Sequence, residues 1–141
     1  MTKFLLDVNV LVAVIDPLHA MHERAMPWFL IHCKGDWATC PITENGAVRI
    51  VSQPTYANPQ PSPPIEIMRE LTEYGRHHFI PDNISILDEV VFNAAHVLSP
   101  KQITDTYLLA LAAKHDSVLA TLDRHIVTLA VRLPNARVHL I

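Results

Sequence analysis

Hydrophobic and polar positions follow two patterns along this chain: short apolar runs, and longer stretches with helical spacing. Short runs that are apolar throughout are typical of strands in a parallel sheet covered by helices. Stretches in which apolar residues recur every three or four positions predict helices. Strands are expected at residues 3–8, 37–40, 78–81, 118–122 and 137–141.

Helices are expected at residues 10–15, 19–33, 41–52, 65–76, 85–98, 100–115 and 124–132. Asn9 can cap the first of them, and Ser85 can cap the helix 85–98 with Asp88 three residues on. Pro27 predicts a kink or a break in the second helix. Because strands alternate with helices, we expect an α/β domain with a mostly parallel sheet and right-handed crossovers.

Composition is consistent with one domain spanning residues 1–141. The chain is 50% hydrophobic and 18% charged, with a formal net charge of -3. No broad basic field attracts nucleic acid, so a contact with nucleic acid must be local or assisted by a metal. Apolar stretches are too short to cross a bilayer, and no signal peptide is evident. We therefore expect a cytoplasmic protein that does not bind membranes.

Two sets of residues receive structural interpretations. Cys33 and Cys40 form neither a disulfide framework nor a zinc pattern, and we expect two buried free thiols in a reducing compartment. The proline-rich segment 53–64 is expected to be an exposed, semi-extended connector. Its role is left open.

Two of the predicted strands end in an aspartate. Phe4-Leu5-Leu6 runs into Asp7, and Leu119 to Leu122 runs into Asp123. Ligands of parallel sheets bind beyond the carboxyl ends of the strands, so two distant carboxylates can meet at one rim. Each could also be only a turn or cap residue; for Asp7 a role in a site is favoured, because Asn9 is available as a cap.

Two further acids lie near the start of predicted helices, on their apolar stripes. Glu44 shares a stripe with Ala47, Val48 and Val51, and Asp105 shares one with Leu108, Leu109 and Ala112. Either acid could merely stabilise a helix N-terminus. The other acids are explained by turns or solvated helix faces; Asp16, for example, precedes a proline in a turn.

Four converging carboxylates would repel one another, and a cation would relieve that repulsion. Hard oxygen ligands favour Mg²⁺ or Mn²⁺, and such sites commonly act on phosphates. The matching chemistry is attack of a metal-activated water on a phosphodiester.

Four segments in order resemble the PIN-domain family. They are Asp-Val-Asn-Val-Leu-Val-Ala (7–13), Glu44-Asn45, Ile-Thr-Asp-Thr-Tyr-Leu-Leu-Ala-Leu-Ala (103–112) and Ala-Thr-Leu-Asp-Arg (120–124). Residues 19–25 with Trp28-Phe29 resemble the VapC-type toxins of bacterial toxin–antitoxin pairs. The turn His115-Asp116-Ser117 departs from the family, which has a glycine before the penultimate strand, and its shape is left open.

The resemblance implies an α/β/α sandwich and a Mg²⁺- or Mn²⁺-dependent ribonuclease. Asp7, Glu44, Asp105 and Asp123 match the acidic positions, as catalytic residues and metal ligands. Asn9 and Thr121 match the polar neighbours that orient such ligands. The resemblance also implies an RNA substrate, a homodimer, and inhibition by a cognate antitoxin.

Other interpretations compete with this one. Arg124 could contact an RNA phosphate or an acid of a partner, or could be a solvated residue at a helix start. His19 and His22 suit zinc by their spacing, but no third ligand is apparent. The chain could instead be a receiver-like phosphoryl-transfer domain, although it offers no late strand-end lysine, or a catalytically weak PIN-fold module that binds metal or RNA.

Overall fold

The structure is a computed structural model that describes residues 2–97 and 99–141. Its strands and helices alternate along most of the chain. In chain order they are β1 (Lys3–Leu6), α1 (Val8–Ile15), α2 (His22–His32), β2 (Asp36–Thr39), α3 (Pro41–Val51), α4 (Pro64–Leu71), β3 (Arg76–Phe79), α5 (Pro100–Lys114), β4 (Ser117–Thr121) and β5 (Val138–Leu140).

The five strands form one sheet in the order β3-β2-β1-β4-β5, and every pairing is parallel. The predicted α/β class is therefore confirmed. From β1 the chain builds the sheet outward through β2 and β3, and then returns to add β4 and β5 on the other side. The direction of building reverses between β1 and β4, and this is where parallel sheets bind their ligands.

Helices cover both faces of the sheet. Along β1, Phe4 and Leu6 belong to the core cluster that includes α1, while Leu5 belongs to the cluster that includes α5. Alternate side chains of a strand point to opposite faces, so this division follows from the period of two. The central strands β1 and β4 are almost entirely buried because both of their faces are covered, whereas the edge strand β3 is polar and largely exposed.

The predicted helix 85–98 is wrong over its described residues; position 98 lies outside them. Ser85 Oγ accepts a hydrogen bond from the Leu87 amide (3.1 Å), and Asp88 Oδ1 accepts one from the Val90 amide (2.9 Å). Local bonds of this kind compete with helix formation. Leu87 and Val90 remain exposed, and the only helical piece described here is a 3₁₀ turn, Ala94–His96.

The predicted helix 124–132 is also wrong. Asp123 Oδ1 accepts a hydrogen bond from the His125 amide at 2.8 Å, which closes a turn instead of starting a helix. Further along, Val131 forms an isolated antiparallel bridge with Phe92. The two mispredicted segments thus pair with each other beside α5.

Three local predictions need smaller corrections. The cap of α1 is Asp7 rather than Asn9. Helix α2 continues through Pro27 without a break. Helix α4 ends at Leu71 rather than Arg76: residues 72–75 form turns, the last of them at Gly75 with a φ of 62°, and Arg76 begins β3. A Cβ at Gly75 would lie 2.1 Å from the Cys33 carbonyl oxygen, so only glycine fits that turn.

The turn that departs from the family pattern also requires a left-handed residue. Asp116 has a φ of 53°, a conformation that aspartate tolerates better than most residues. It therefore takes the place of the missing glycine before β4. Cys33 and Cys40 are buried free thiols, as expected. Among the described residues, no helix has both the length and the apolarity to span a membrane.

Candidate active site

The centre of the site is the rim where β1 and β4 end side by side. Leu6 is level with Ala120 in the parallel ladder, and the Asp7 amide donates to the Ala120 carbonyl at 2.9 Å. Asp7 and Thr121 therefore leave the sheet at the same height. This places the first predicted site residue at the point where the direction of sheet building reverses.

The Thr121 hydroxyl joins three residues around this rim. It donates to Asp7 Oδ2 at 2.8 Å, and it accepts hydrogen bonds from Asn9 Nδ2 (3.2 Å) and from the Asp123 amide (3.0 Å). One hydrogen and two lone pairs are thereby all used. The Asn9 side chain completes the link, because its Oδ1 accepts from the Leu122 amide at 3.2 Å.

Asp7 is the cap of α1, and its carboxylate also belongs to the hydrogen-bond network at the rim. Its Oδ1 accepts a hydrogen bond from the Val8 amide at 2.7 Å and so caps α1. Its Oδ2 is held by Thr121, and the residue is only 6% exposed. Hydrogen bonds on both oxygens therefore orient the carboxylate. Because Asp7 caps the helix, the Asn9 side chain is available to bind Thr121.

Asp105 and Asp123 share the electrostatic field of Asp7. Burial and the charges of Asp7 and Asp123 raise the pKa of Asp105 to about 6. Burial raises the pKa of Asp7 as well; the charge of Asp123 adds to this, and the bonds from Thr121 and Val8 oppose it. Like charges act in this way only when they lie close together, so the structure groups these three acids.

Glu44 makes its contacts beside this group. Its Oε2 accepts a hydrogen bond from Thr39 Oγ1 at 2.5 Å, and Thr39 Oγ1 lies 2.7 Å from His77 Nε2. Since the threonine proton points to Glu44, Thr39 must accept from a protonated Nε2. Burial lowers the pKa of His77, and the charge of Glu44 opposes that effect.

Thr39 ends β2, next to β1, so Glu44 lies at the same rim of the sheet. The charges that raise the pKa of Asp105 are those of Asp7 and Asp123, and Glu44 is not among them. Sequence reasoning overlooked Thr39 and His77. A polar residue at the end of an apolar strand, five positions before Glu44, was the available signal for Thr39.

Two cavities adjoin these acids. A cavity of about 370 Å³ is lined by Asp7, Asp105, Asn9, His19 and Tyr56, together with apolar side chains. A larger one, of about 650 Å³, is lined by Glu44 and His77 and by side chains of α3 and α4. Arg124 is exposed in the turn after Asp123, and the alternative that it starts a helix is wrong.

The donor set of the acid group fits a hard divalent cation. Asp7, Asp105 and Asp123 offer only carboxylate oxygens, and their mutual repulsion is the kind that a cation relieves. Over residues 2–97 and 99–141, no three His, Cys, Asp or Glu side chains lie close enough together to coordinate one ion directly. Among these residues, His19 and His22 therefore do not form the zinc site that their spacing allowed. The acid group still fits Mg²⁺, which is commonly held by one or two carboxylates and by waters that neighbouring acids bind.

Curated relatives of the chain are ribonucleases. It is 44% identical over 130 residues to ribonuclease VapC44 of Mycobacterium tuberculosis, covering 92% of each chain. It is 35% identical to ribonuclease VapC38 of the same organism, covering 97% of this chain and 96% of the relative. No protein-family model matches the chain.

Two solved structures share the fold at low sequence identity. One is VapBC2 from Rickettsia felis bound to a DNA fragment from its promoter, with a TM-score of 0.58 and 12% identity. The other is DNA-bound VapBC from Salmonella typhimurium, with a TM-score of 0.58 and 14% identity. In both comparisons 99% of this chain and 98% of the other are covered.

Replacing Thr121 by valine is expected to destabilise the protein. Thr121→Val keeps the shape but leaves buried partners of the hydroxyl unpaired, so we expect the free energy of unfolding in urea to fall by about 1–3 kcal/mol. Thr104→Val, on the exposed face of α5, is the matched control and should have little effect. Equal losses for the two variants would contradict the role of the Thr121 hydroxyl.

The raised pKa of Asp105 predicts a pH-dependent stability. Between its ordinary value of 3.8 and about 6, the folded protein binds more protons than the unfolded chain. The free energy of unfolding should therefore fall as the pH rises through this window. In EDTA, we expect a fall about 1–2 kcal/mol larger for the wild type than for Asp105→Asn, allowing for solvent screening.

Parallel pH profiles for these two proteins in denaturant titrations would contradict the shared field of the acids. Asp88→Asn, in an exposed turn, is a control that should follow the wild type.

Proposed function

The chain belongs to the VapC family of ribonucleases, and from this premise we propose that it is a toxin that cleaves RNA internally with Mg²⁺ or Mn²⁺ held by Asp7, Asp105 and Asp123. The observation that carries the proposal is the rim where β1 and β4 end, at which Thr121 binds both Asp7 and the Asp123 amide, and Asp7 and Asp105 line the same cavity. The receiver-like alternative has no support from ribonuclease relatives.

The protein's own residues would prepare the site before any substrate arrives. Thr121 and the Val8 amide fix both oxygens of Asp7, so little reorganisation remains when a cation binds. Asn9 ties the end of β4 to α1 and keeps Asp123 beside Asp7. When bound, the cation would lower the pKa of a water and neutralise charge on the phosphodiester.

Glu44 remains a predicted member of this site. Its contacts with Thr39 support a carboxylate fixed at the same rim, from which it would add to the negative field or join the ligand set. Arg124, exposed next to Asp123, remains a predicted contact for an RNA phosphate. The chain would work as a single PIN-like domain in the cytoplasm, where its RNA substrate is.

The experiment that tests this proposal is Asp7→Asn. The neutral side chain keeps its shape and relieves repulsion, but its NH₂ cannot accept the bond that Asp7 Oδ2 accepts from Thr121. The protein should therefore stay folded, with a modest change in melting temperature, while Mg²⁺- or Mn²⁺-dependent RNA cleavage is lost, by about 100-fold or more. Mapping the RNA ends produced in cells on induced expression, with Asp7→Asn beside the wild type, measures the activity.

Asp36→Asn is a suitable control, since Asp36 pairs with Arg76 and His78 at the opposite end of β2. It should cleave RNA as the wild type does. Full cleavage by a folded Asp7→Asn protein would refute the assignment of Asp7.

A cognate antitoxin is the proposed protein partner, and its binding surface would be the larger cavity beside Glu44. Ile65 and Phe79 at this cavity are 53% and 57% exposed, so a partner segment could bury them. Both structural neighbours are VapBC assemblies, which supports a partner of this class. A homodimer is proposed as well, and light scattering measures it.

We expect the product of the neighbouring small gene to co-purify with the chain and to suppress its activity. Phe79→Asp should weaken that complex, because a charge would enter the apolar contact. Leu87→Asp is the matched control, as Leu87 is 84% exposed in a turn outside this cavity. Failure of the neighbouring product both to co-purify and to inhibit would contradict the partnership.

A further inference from the structure

The proline-rich segment is attached to the core through a buried aspartate. Asp16 is fully buried, and its carboxylate accepts hydrogen bonds from the Tyr56 hydroxyl, from Asn58 Nδ2 (2.8 Å) and from the Leu18 amide (3.0 Å). Burial alone would raise the pKa of Asp16, but these bonds outweigh it and lower the pKa. Asp16 was interpreted from sequence as a turn residue; it is the anchor of a segment forty residues away.

The position of Asp16 is unfavourable for the helix it follows. It is the C-cap of α1, where the helix dipole repels a negative charge. Hydrogen bonds from Tyr56, Asn58 and the Leu18 amide compensate the buried carboxylate, and the first two come from the proline-rich segment. The anchor therefore serves the proline-rich segment and not the helix.

The anchor places Tyr56 in the wall of the cavity that contains the acids. Asp7 and Asp105 line this cavity of about 370 Å³, and so do Tyr56, Val12 and Ile50. The Tyr56 hydroxyl is bound to Asp16 and the half-buried side chain packs against the core, so the ring is held in place and its remaining exposed part is left for other contacts. An aromatic ring in the same cavity as a candidate catalytic group is suited to hold a planar ligand.

His19 adds a hydrogen-bond donor to the same cavity. Its Nδ1 accepts a bond from the Met21 amide at 3.0 Å, so the proton of the neutral ring is on Nε2. That nitrogen makes no hydrogen bond within the described residues. The cavity thus combines two acids, a fixed aromatic ring and an N–H donor.

The charge balance favours stacking as the way a nucleotide is held here. The chain has a net charge of -3, and among the described residues that line this cavity there is no Lys or Arg, so ion pairs with phosphates do not hold a nucleotide inside it. Single-stranded RNA is commonly held by stacking unpaired bases on aromatic side chains. Stacking on an aromatic ring needs no positive charge on the protein, whereas binding of the RNA phosphates does.

We propose that Tyr56 stacks on the base of one nucleotide that flanks the cleaved phosphate, with His19 donating a hydrogen bond to the same nucleotide. The proline-rich segment is then the substrate-binding wall of the site, held in position by Asp16. This inference rests on the proposed function, because the nucleotide is part of the RNA that the three aspartates would cleave.

The test uses the full-length protein and an RNA oligonucleotide that contains a cleavage site mapped with the wild type. Tyr56→Leu should raise KM about 5- to 150-fold, the effect of losing one base–aromatic stack, with a much smaller change in kcat. Tyr56→Phe keeps the ring, so its KM should lie closer to that of the wild type. Replacing one flanking nucleotide by an abasic one should raise KM for the wild type but not further for Tyr56→Leu.

Three controls separate this role from a structural one. Tyr74→Leu makes the same change in a different cavity and should leave KM unchanged. His19→Leu should raise KM, whereas His96→Leu, in an exposed turn, should not. Thermal melts establish that each variant is folded.

Equal KM values for Tyr56→Leu and the wild type would overturn the proposal, and so would an abasic nucleotide that raises KM as much for Tyr56→Leu as for the wild type. Loss of cleavage by Asp7→Asn alongside such a result would leave the ribonuclease assignment intact. If the wild type cleaves no RNA, binding of a fluorescein-labelled, mixed-sequence single-stranded RNA, followed by anisotropy, decides the stacking: weaker binding by Tyr56→Leu but not by Tyr74→Leu supports it, and equal binding refutes it.

Discussion

The structure depends most on one constraint: the carboxylate of Asp7 is buried at the rim where β1 and β4 end, and hydrogen bonds have to stabilise its charged form there. Asp7 meets this constraint through the Thr121 hydroxyl and the Val8 amide, which bind its two oxygens. The strands must be in register for Thr121 to reach Asp7, and α1 must begin at Val8 for its amide to do so. Sheet, helix and site are therefore fixed by the same few hydrogen bonds.

Grouping three acids has an energetic cost that the fold must offset elsewhere. Burial and repulsion act against the charged forms of Asp7 and Asp105 and raise the pKa of both. The surrounding core of apolar strands and α1 supplies the stability that the acids remove. A site that is strained in this way when its ligand is absent gains the most when a cation binds.

Much of this arrangement could be predicted from the sequence because it depends on regular patterns. The central strands β1 and β4 are mostly apolar since both of their faces are covered, and Asp7 and Asp123 stand out because each follows such a run. Asp105 stands out in the same way on a helical stripe whose other members, Leu108, Leu109 and Ala112, are buried. These patterns are local, because each can be recognised from residues that are close together in the sequence.

The errors arose where distant or side-chain interactions decide the local structure. Ser85 and Asp123 have the composition of helix caps, but their side chains close turns instead. Whether the segment forms a helix or a turn depends on how much apolar surface each conformation would bury. That burial depends on residues elsewhere in the chain. Glu44 and Asp105 each begin an apolar helical stripe, which predicts that both belong to one site. Only the folded chain shows that Glu44 is bound to Thr39.

The same reasoning explains why the proline-rich segment could not be interpreted from its composition. Prolines restrict the unfolded chain, so ordering this segment costs less entropy than ordering a flexible loop of equal length. A few well-placed bonds then suffice to fix it, and the carboxylate of Asp16 provides them. Helix α1 has Asp7 as its N-cap and Asp16 as its C-cap, a separation of roughly 14 Å at 1.5 Å per residue. Since residues Val10 to Ile15 are buried, this helix is a rigid spacer. It sets how far the anchored wall stands from the acids, and hence the size of what fits between them.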